Sequence, residues 1–120
     1  MKRWLVLCIL ALGSLSLAQQ ITVSAPVLTV SGELRISLVP NLIVVQRIPE
    51  PQGIVVVYVA NRIEEVFVYH DRDLRARGWQ RVKYESKKDG YKAEYRRGKA
   101  KARLEVKDKK GRIEVKVKEG

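Results

Sequence analysis

The stretch NRIEEVFVYHDRDLRARGWQRVKYE, residues 61–85, changes its hydrophobic period partway along, and that change decides the fold. Up to Leu74 the spacing is helical. Ile63, Val66, Phe67 and Leu74, with His70 among them, fall on one stripe of a 3.6-residue helix. Asn61 and Glu64 stand at capping-box spacing, so the helix is expected over 61–77, about 25 Å of rise. Gly78 can take the left-handed conformation that ends a helix, and Trp79 can fold back on the last turn. Beyond Trp79 the period is two: Val82 and Tyr84 alternate with Arg81, Lys83 and Glu85, and a strand begins. A helix that turns into a strand across a single Gly-Trp step lies back on the sheet it enters.

The alternation continues to the end of the chain. Asp89-Gly90 is a hairpin signal, after which Tyr91, Ala93 and Tyr95 alternate with Lys92, Glu94 and Arg96. Gly98 supplies a second tight turn. Ala100, Ala102, Leu104 and Val106 then alternate with charged residues, as do Ile113, Val115 and Val117 after the DKKG turn at 108–111. The expected fold class is therefore α+β: one amphipathic helix packed on a mainly antiparallel sheet with a C-terminal four-strand meander, apolar on one face and charged on the other. Ala93, Ala100 and Ala102 leave shallow ground for the helix. Turning at Arg97-Gly98 would set Glu94 opposite Lys101. The last hairpin admits Glu105 opposite Glu114 or opposite Arg112, because a two-residue shift preserves parity.

Upstream, IVVVYVA at 54–60 is apolar on both parities, the pattern of a central strand covered on both faces. The short apolar run 42–48 is closed by Pro49 and Pro51. Residues 19–40 read as an extended lead-in or an edge strand, and 41–120 as the α+β domain. Residues 1–18 have the form of a signal peptide: Lys2 and Arg3, an apolar run from Trp4, then Ser16 and Ala18 at the small positions before a cut between Ala18 and Gln19. The apolar part is short of the ~20 residues that a spanning helix needs. The chain is expected to be exported, periplasmic or secreted. Cys8, the only cysteine, would leave with the signal, and no disulfide or thiolate chemistry would remain.

Charge is uneven along the chain. From residue 71 onward there are 19 Lys and Arg against nine acids, whereas residues 19–70 hold three against four. An asymmetry of this kind points to a polyanion or an anionic surface as partner, or to a face kept solvated by its charge. On the outward parity of the four C-terminal strands, eleven basic residues, Arg81 among them, stand with Glu85, Glu94, Glu105 and Glu114. The candidate anion-binding residues are Arg96, Lys99, Lys101, Arg103 and Lys116. The aromatics Tyr84, Tyr91 and Tyr95 share parity with Val82, Ala93 and Leu104, so they face the helix and offer no stacking platform on the charged side.

Catalysis is not expected. His70 is the only histidine. With Asp71 or Asp73 it could be a general base, but its place in the apolar stripe favours a partly buried structural role. There is no second His or Cys to complete a metal site and no Gly-rich phosphate loop, since Gly90, Gly98 and Gly111 fall at hairpin turns. No cofactor is implied. The expected function is that of a non-enzymatic exported protein whose basic sheet face contacts anionic envelope polymer, lipid head groups at a membrane surface, or nucleic acid. The alternative is a structural or assembly module that joins a protein partner or a second copy through the apolar segment 21–48.

The order strand, helix, meander, with Tyr69, His70, Leu74, Gly78 and Trp79 closing the helix, resembles small exported bacterial α+β domains of uncharacterised function. The resemblance covers about residues 40–118. It implies the fold and the export, and it carries over no catalytic residue; His70 stands where an aromatic such as Tyr would be expected.

Overall fold

A computed structural model describes residues 26–120; the expected signal segment and the residues up to 25 lie outside the described residues. In chain order the elements are β1 (Val27–Ser31), β2 (Leu34–Ser37), β3 (Ile43–Glu50), β4 (Gly53–Val59), α1 (Ile63–Ala76), β5 (Gln80–Lys87), β6 (Gly90–Arg97), β7 (Ala100–Asp108) and β8 (Arg112–Glu119). The chain is α+β and mostly sheet. The one helix among the described residues packs on antiparallel strands in the order β3-β4-β8-β7-β6-β5, and β1 and β2 form a separate two-stranded ribbon.

The helix begins later than its sequence suggests. Arg62 occupies the N-cap position without any side-chain cap bond, so the Asn61–Glu64 capping box does not form. Arg62 instead pairs with Glu65 at 2.8 Å on the open surface, an interaction worth only a few tenths of a kcal/mol, about 0.3–0.5. The far end follows the expected plan. Gly78 has φ +94°, its N–H donates to the Arg75 carbonyl, and the Trp79 N–H donates to the Leu74 carbonyl at 3.1 Å. This is the paired bonding of a Schellman turn, and it swings the chain from α1 into β5.

Within residues 19–40, expected as an extended lead-in or an edge strand, 27–37 form the two-stranded ribbon instead. Their ribbon lies beside α1 on the same face of the large sheet and buries Leu34, Ile36 and Leu38 in the common core. That core is built from the inner parity of the sheet: Val56 and Tyr58, Ile113, Val115 and Val117, Ala102, Leu104 and Val106, Ala93 and Tyr95. Val66, Phe67, Leu74 and Trp79 meet it from the helix and its exit turn. β4 is an interior strand between β3 and β8.

Three registers differ from those expected. The β6–β7 turn is Gly98-Lys99, one residue later than Arg97-Gly98, so Glu94 faces Arg103, and Arg96 faces Lys101. The β7–β8 turn closes at Lys110-Gly111, both with positive φ, which sets Glu105 opposite Lys116, neither Glu114 nor Arg112. Positive φ at two successive central residues is the signature of the tight hairpin turn that matches strand twist. In β5 a bulge between Arg81 and Lys83 breaks the alternation: Val82 is exposed, and Arg81 joins the inner side, opposite Tyr95. The β5–β6 loop is Lys88-Asp89, with Gly90 already paired in the strand. A Cβ on Gly90 would sit 2.1 Å from the Val106 carbonyl oxygen, so this glycine is required by close approach and not by a turn.

Because Ile36 is fully buried between ribbon, helix and sheet, Ile36→Ala is expected to cost about 2–5 kcal/mol of stability. The midpoint of urea unfolding checks this; a cost below about 1 kcal/mol would mean the ribbon is an appendage and not part of the cooperative core.

Candidate anion-binding face

The face of the sheet turned away from α1 carries the charged parity of β5 to β8. Register arranges these side chains in rows across the strands. One row reads Glu85, Lys92, Glu105, Lys116, alternating in sign over four strands. Lys92 Nζ lies 3.5 Å from Glu105 Oε2, and Lys107 Nζ reaches the same oxygen at 4.0 Å. Lys107 faces Glu114 across the last hairpin. This part of the face neutralises itself.

The rows toward the other end do not. Lys83, Glu94 and Arg103 alternate, but the next member is Lys118, so two cations stand directly opposite each other. In the following row Arg96 faces Lys101. Lys101 and Arg103 are two residues apart on β7, about 7 Å along the strand. Arg96, Lys101, Arg103 and Lys118 thus form one cluster with Glu94 as its single acid. Among the described residues, none of these four cations, nor Lys116, sits in a salt bridge. Like charges placed opposite each other in a sheet cost roughly 0.2–1 kcal/mol per pair. A shallow depression of about 290 Å³ adjoins the cluster, lined by Lys83, Lys92, Arg103, Lys116 and Lys118 with Glu85, Glu94 and Glu105.

Of the candidate residues, Arg96, Lys101 and Arg103 come together, and Lys116 stands one row away opposite Glu105. Lys99 lies in the turn at the rim. Lys118, not singled out from the sequence, completes the cluster; its parity with Lys116 was visible, but its row was not.

Several other basic residues are spent inside the structure. Arg97 lies over the Trp79 ring, 4.7 Å from the centroid, donates to the Arg77 carbonyl at 2.9 Å and pairs with Glu33 at 3.0 Å. Arg77 donates to Asp73 at 3.1 Å and to Ser37 Oγ at 2.7 Å, and Asp73 also accepts the Ser37 backbone N–H. Arg81, expected on the outer face, turns inward through the β5 bulge and approaches Asp71 at 3.4 Å. Asp71, almost fully buried, accepts from the Tyr95 hydroxyl at 2.6 Å and from Arg75 at 3.3 Å. Burial, followed by the bond and charge of this carboxylate, pushes the Tyr95 phenol far above its usual range.

His70 is fully enclosed. The Tyr58 hydroxyl accepts the Val39 N–H at 3.1 Å and shares a hydrogen bond of 2.9 Å with His70 Nε2. The other ring nitrogen, Nδ1, has no partner in the described structure. Burial lowers the His70 pKa to about 4 and raises that of Tyr58 to about 12. Neither Asp71 nor Asp73 orients the ring, since both carboxylates are bound elsewhere. His70 is a neutral tie between α1 and β4, more deeply buried than its stripe position implied. Among the described residues no group of three or more His, Cys, Asp or Glu is placed to hold a metal ion. Comparison with protein-family models, curated proteins and solved structures finds no match.

The neutral His70 makes stability depend on pH. Below the ordinary histidine value near 6.5 the unfolded chain takes up a proton that the folded chain refuses until about pH 4. Stability therefore falls as pH drops through that window, by on the order of 3 kcal/mol. Urea unfolding at pH 7 and pH 4.5 is expected to show a smaller loss in His70→Gln than in the parent chain. An equal loss in both would assign the acid sensitivity to the carboxylates.

Proposed function

We propose that this chain is a non-enzymatic exported protein that holds an anionic polymer on the outer face of its sheet. The face would act through Arg96, Lys101, Arg103 and Lys118, with Lys116 beside them. The observation that carries this reading is the pairing of cation with cation across β6–β7 and β7–β8, next to rows in which the same face pairs opposite charges. A face selected for solubility and fold stability alone gains nothing from the like-charged rows, whereas a polyanion would screen them and release its counterions. No aromatic side chain stands in these rows, so recognition would be electrostatic and blind to sequence. The export part of the reading rests on the form of residues 1–18, and the meander topology drawn from the period-two pattern supports the same surface.

A second reading, a structural or assembly module, is favoured by Ile43 and Ile48, which remain exposed on edge strand β3. It is narrower than the sequence implied. Leu34, Ile36 and Leu38 of the same apolar segment are committed to the core.

Fluorescence-anisotropy titrations of labelled single-stranded DNA and of an acidic polysaccharide, each over a range of salt, test the first reading. Affinity is expected to fall as salt rises, and the log–log slope to flatten by roughly 0.7 for each cation removed in Lys101→Ala/Arg103→Ala/Lys118→Ala. Binding confined to low salt, or an unchanged slope in the variant, would return this face to the role of a solvated surface.

A further inference from the structure

The outer face has a second feature, one that a soluble polyanion would not use. On the same side as the cationic rows, β4 presents Val55, Val57 and Val59, and its edge neighbour β3 presents Ile43 and Ile48, with Gln46 opposite Val57 and Glu50 opposite Gly53 at the strand end. Val55 faces Ile48 and Val59 faces Ile43. Val55 and Val57 are buried among their neighbours, yet Ile43 is 67% exposed, Ile48 43% and Val59 42%. β8 then sets Lys118, Lys116 and Arg112 opposite Gly53, Val55 and Val59, with one acid, Glu114, opposite Val57. The apolar strip and the cations therefore abut at one strand spacing, about 4.8 Å. Branched aliphatics next to Lys and Arg on one surface are the composition of a protein that lies at a membrane interface: the aliphatics enter the acyl boundary and the cations meet anionic head groups.

We propose that this combined face docks on an anionic lipid surface, with Ile43, Ile48 and Val59 entering the head-group boundary and Arg112, Lys116 and Lys118 meeting the lipid phosphates. The proposal rests on the anion-binding reading of this face and goes beyond it by giving the face a lipid bilayer as partner. Among the described residues no helix is long and apolar enough to cross a membrane; the sheet would lie on the surface.

The test is co-sedimentation of the chain from Gln19 onward, which holds every described residue, with phosphatidylglycerol or phosphatidylcholine vesicles at physiological salt. Heparin binding is measured in parallel. Phosphatidylglycerol vesicles are expected to bind at least about tenfold more tightly than phosphatidylcholine, because each cation at an anionic surface contributes about fivefold. Ile43→Ser/Ile48→Ser/Val59→Ser is expected to weaken vesicle binding by roughly tenfold or more and to leave heparin binding unchanged. Ile43→Ser alone, at the most exposed of the three sites, should weaken it a few-fold and carries the comparison if the triple variant does not melt cooperatively. Unchanged vesicle binding by these variants would overturn the lipid assignment while heparin binding keeps the anion reading. Equal binding to both vesicle types would overturn it too. A dimer in lipid-free sedimentation velocity that the triple variant abolishes would overturn it by giving the strip to a second copy. Binding to neither vesicles nor heparin would remove both readings together.

Discussion

The structure depends on covering one apolar face that is wider than its helix. Six strands about 4.8 Å apart span roughly 24 Å, whereas a helix with its side chains is about 10 Å across. α1 lies over the β5 and β7 side of the sheet and cannot also cover β4 and β8. The ribbon β1–β2 takes that place, which is why Leu34, Ile36 and Leu38 are as deeply buried as any strand residue. Helix and ribbon must then be joined along their shared seam. Asp73 does this by accepting both the Ser37 N–H and the Arg77 guanidinium, while Tyr69 donates to the Leu38 carbonyl and Tyr58 receives the Val39 N–H.

Joining them this way brings polar groups into the core. Buried hydrogen bonds contribute little net stability when complete and cost much when one partner is missing. Tyr58, Tyr95, Asp71 and Asp73 are all satisfied, and among the side chains of the described residues only His70 Nδ1 and Trp79 Nε1 are buried without a bond. The arginines around this network serve as its counter-charges. Arg75, Arg77, Arg81 and Arg97 balance Asp71, Asp73 and Glu33, so part of the basic surplus belongs to architecture. Removing them from the count sharpens the outer face, where Arg96, Lys101, Arg103 and Lys118 fall in two adjoining rows at one end.

Much of this was legible in the chain. The change of period at Trp79, the Gly78 terminator and the alternation through β6 to β8 all act over a few residues, and short-range geometry fixes them. The N-terminal capping box failed although its residues were present, because the N-cap position falls one residue later, at Arg62, which meets Glu65 instead. The ribbon was missed because its four-residue β2 alternates too briefly to stand out, and its burial comes from contacts with α1, which is about 36 residues away. Arg81 and Val82 exchanged faces because a bulge adds one residue to β5 without any mark in the sequence.

From β6 to β8, where no bulge intervenes, the sequence by itself determined which side chains share a face, since the period of two assigns inward and outward positions from local backbone geometry alone. It also placed the excess of positive charge in the second half of the chain. Only the tertiary structure decided which outward residues are neighbours. A two-residue slip of a hairpin keeps every apolar side chain on the core face, so hydrophobic burial cannot tell one register from the next. The choice lies with turn conformation, such as the positive φ at Lys110 and Gly111, and with close approach at Gly90. That choice sets Arg96 against Lys101 and Arg103 against Lys118.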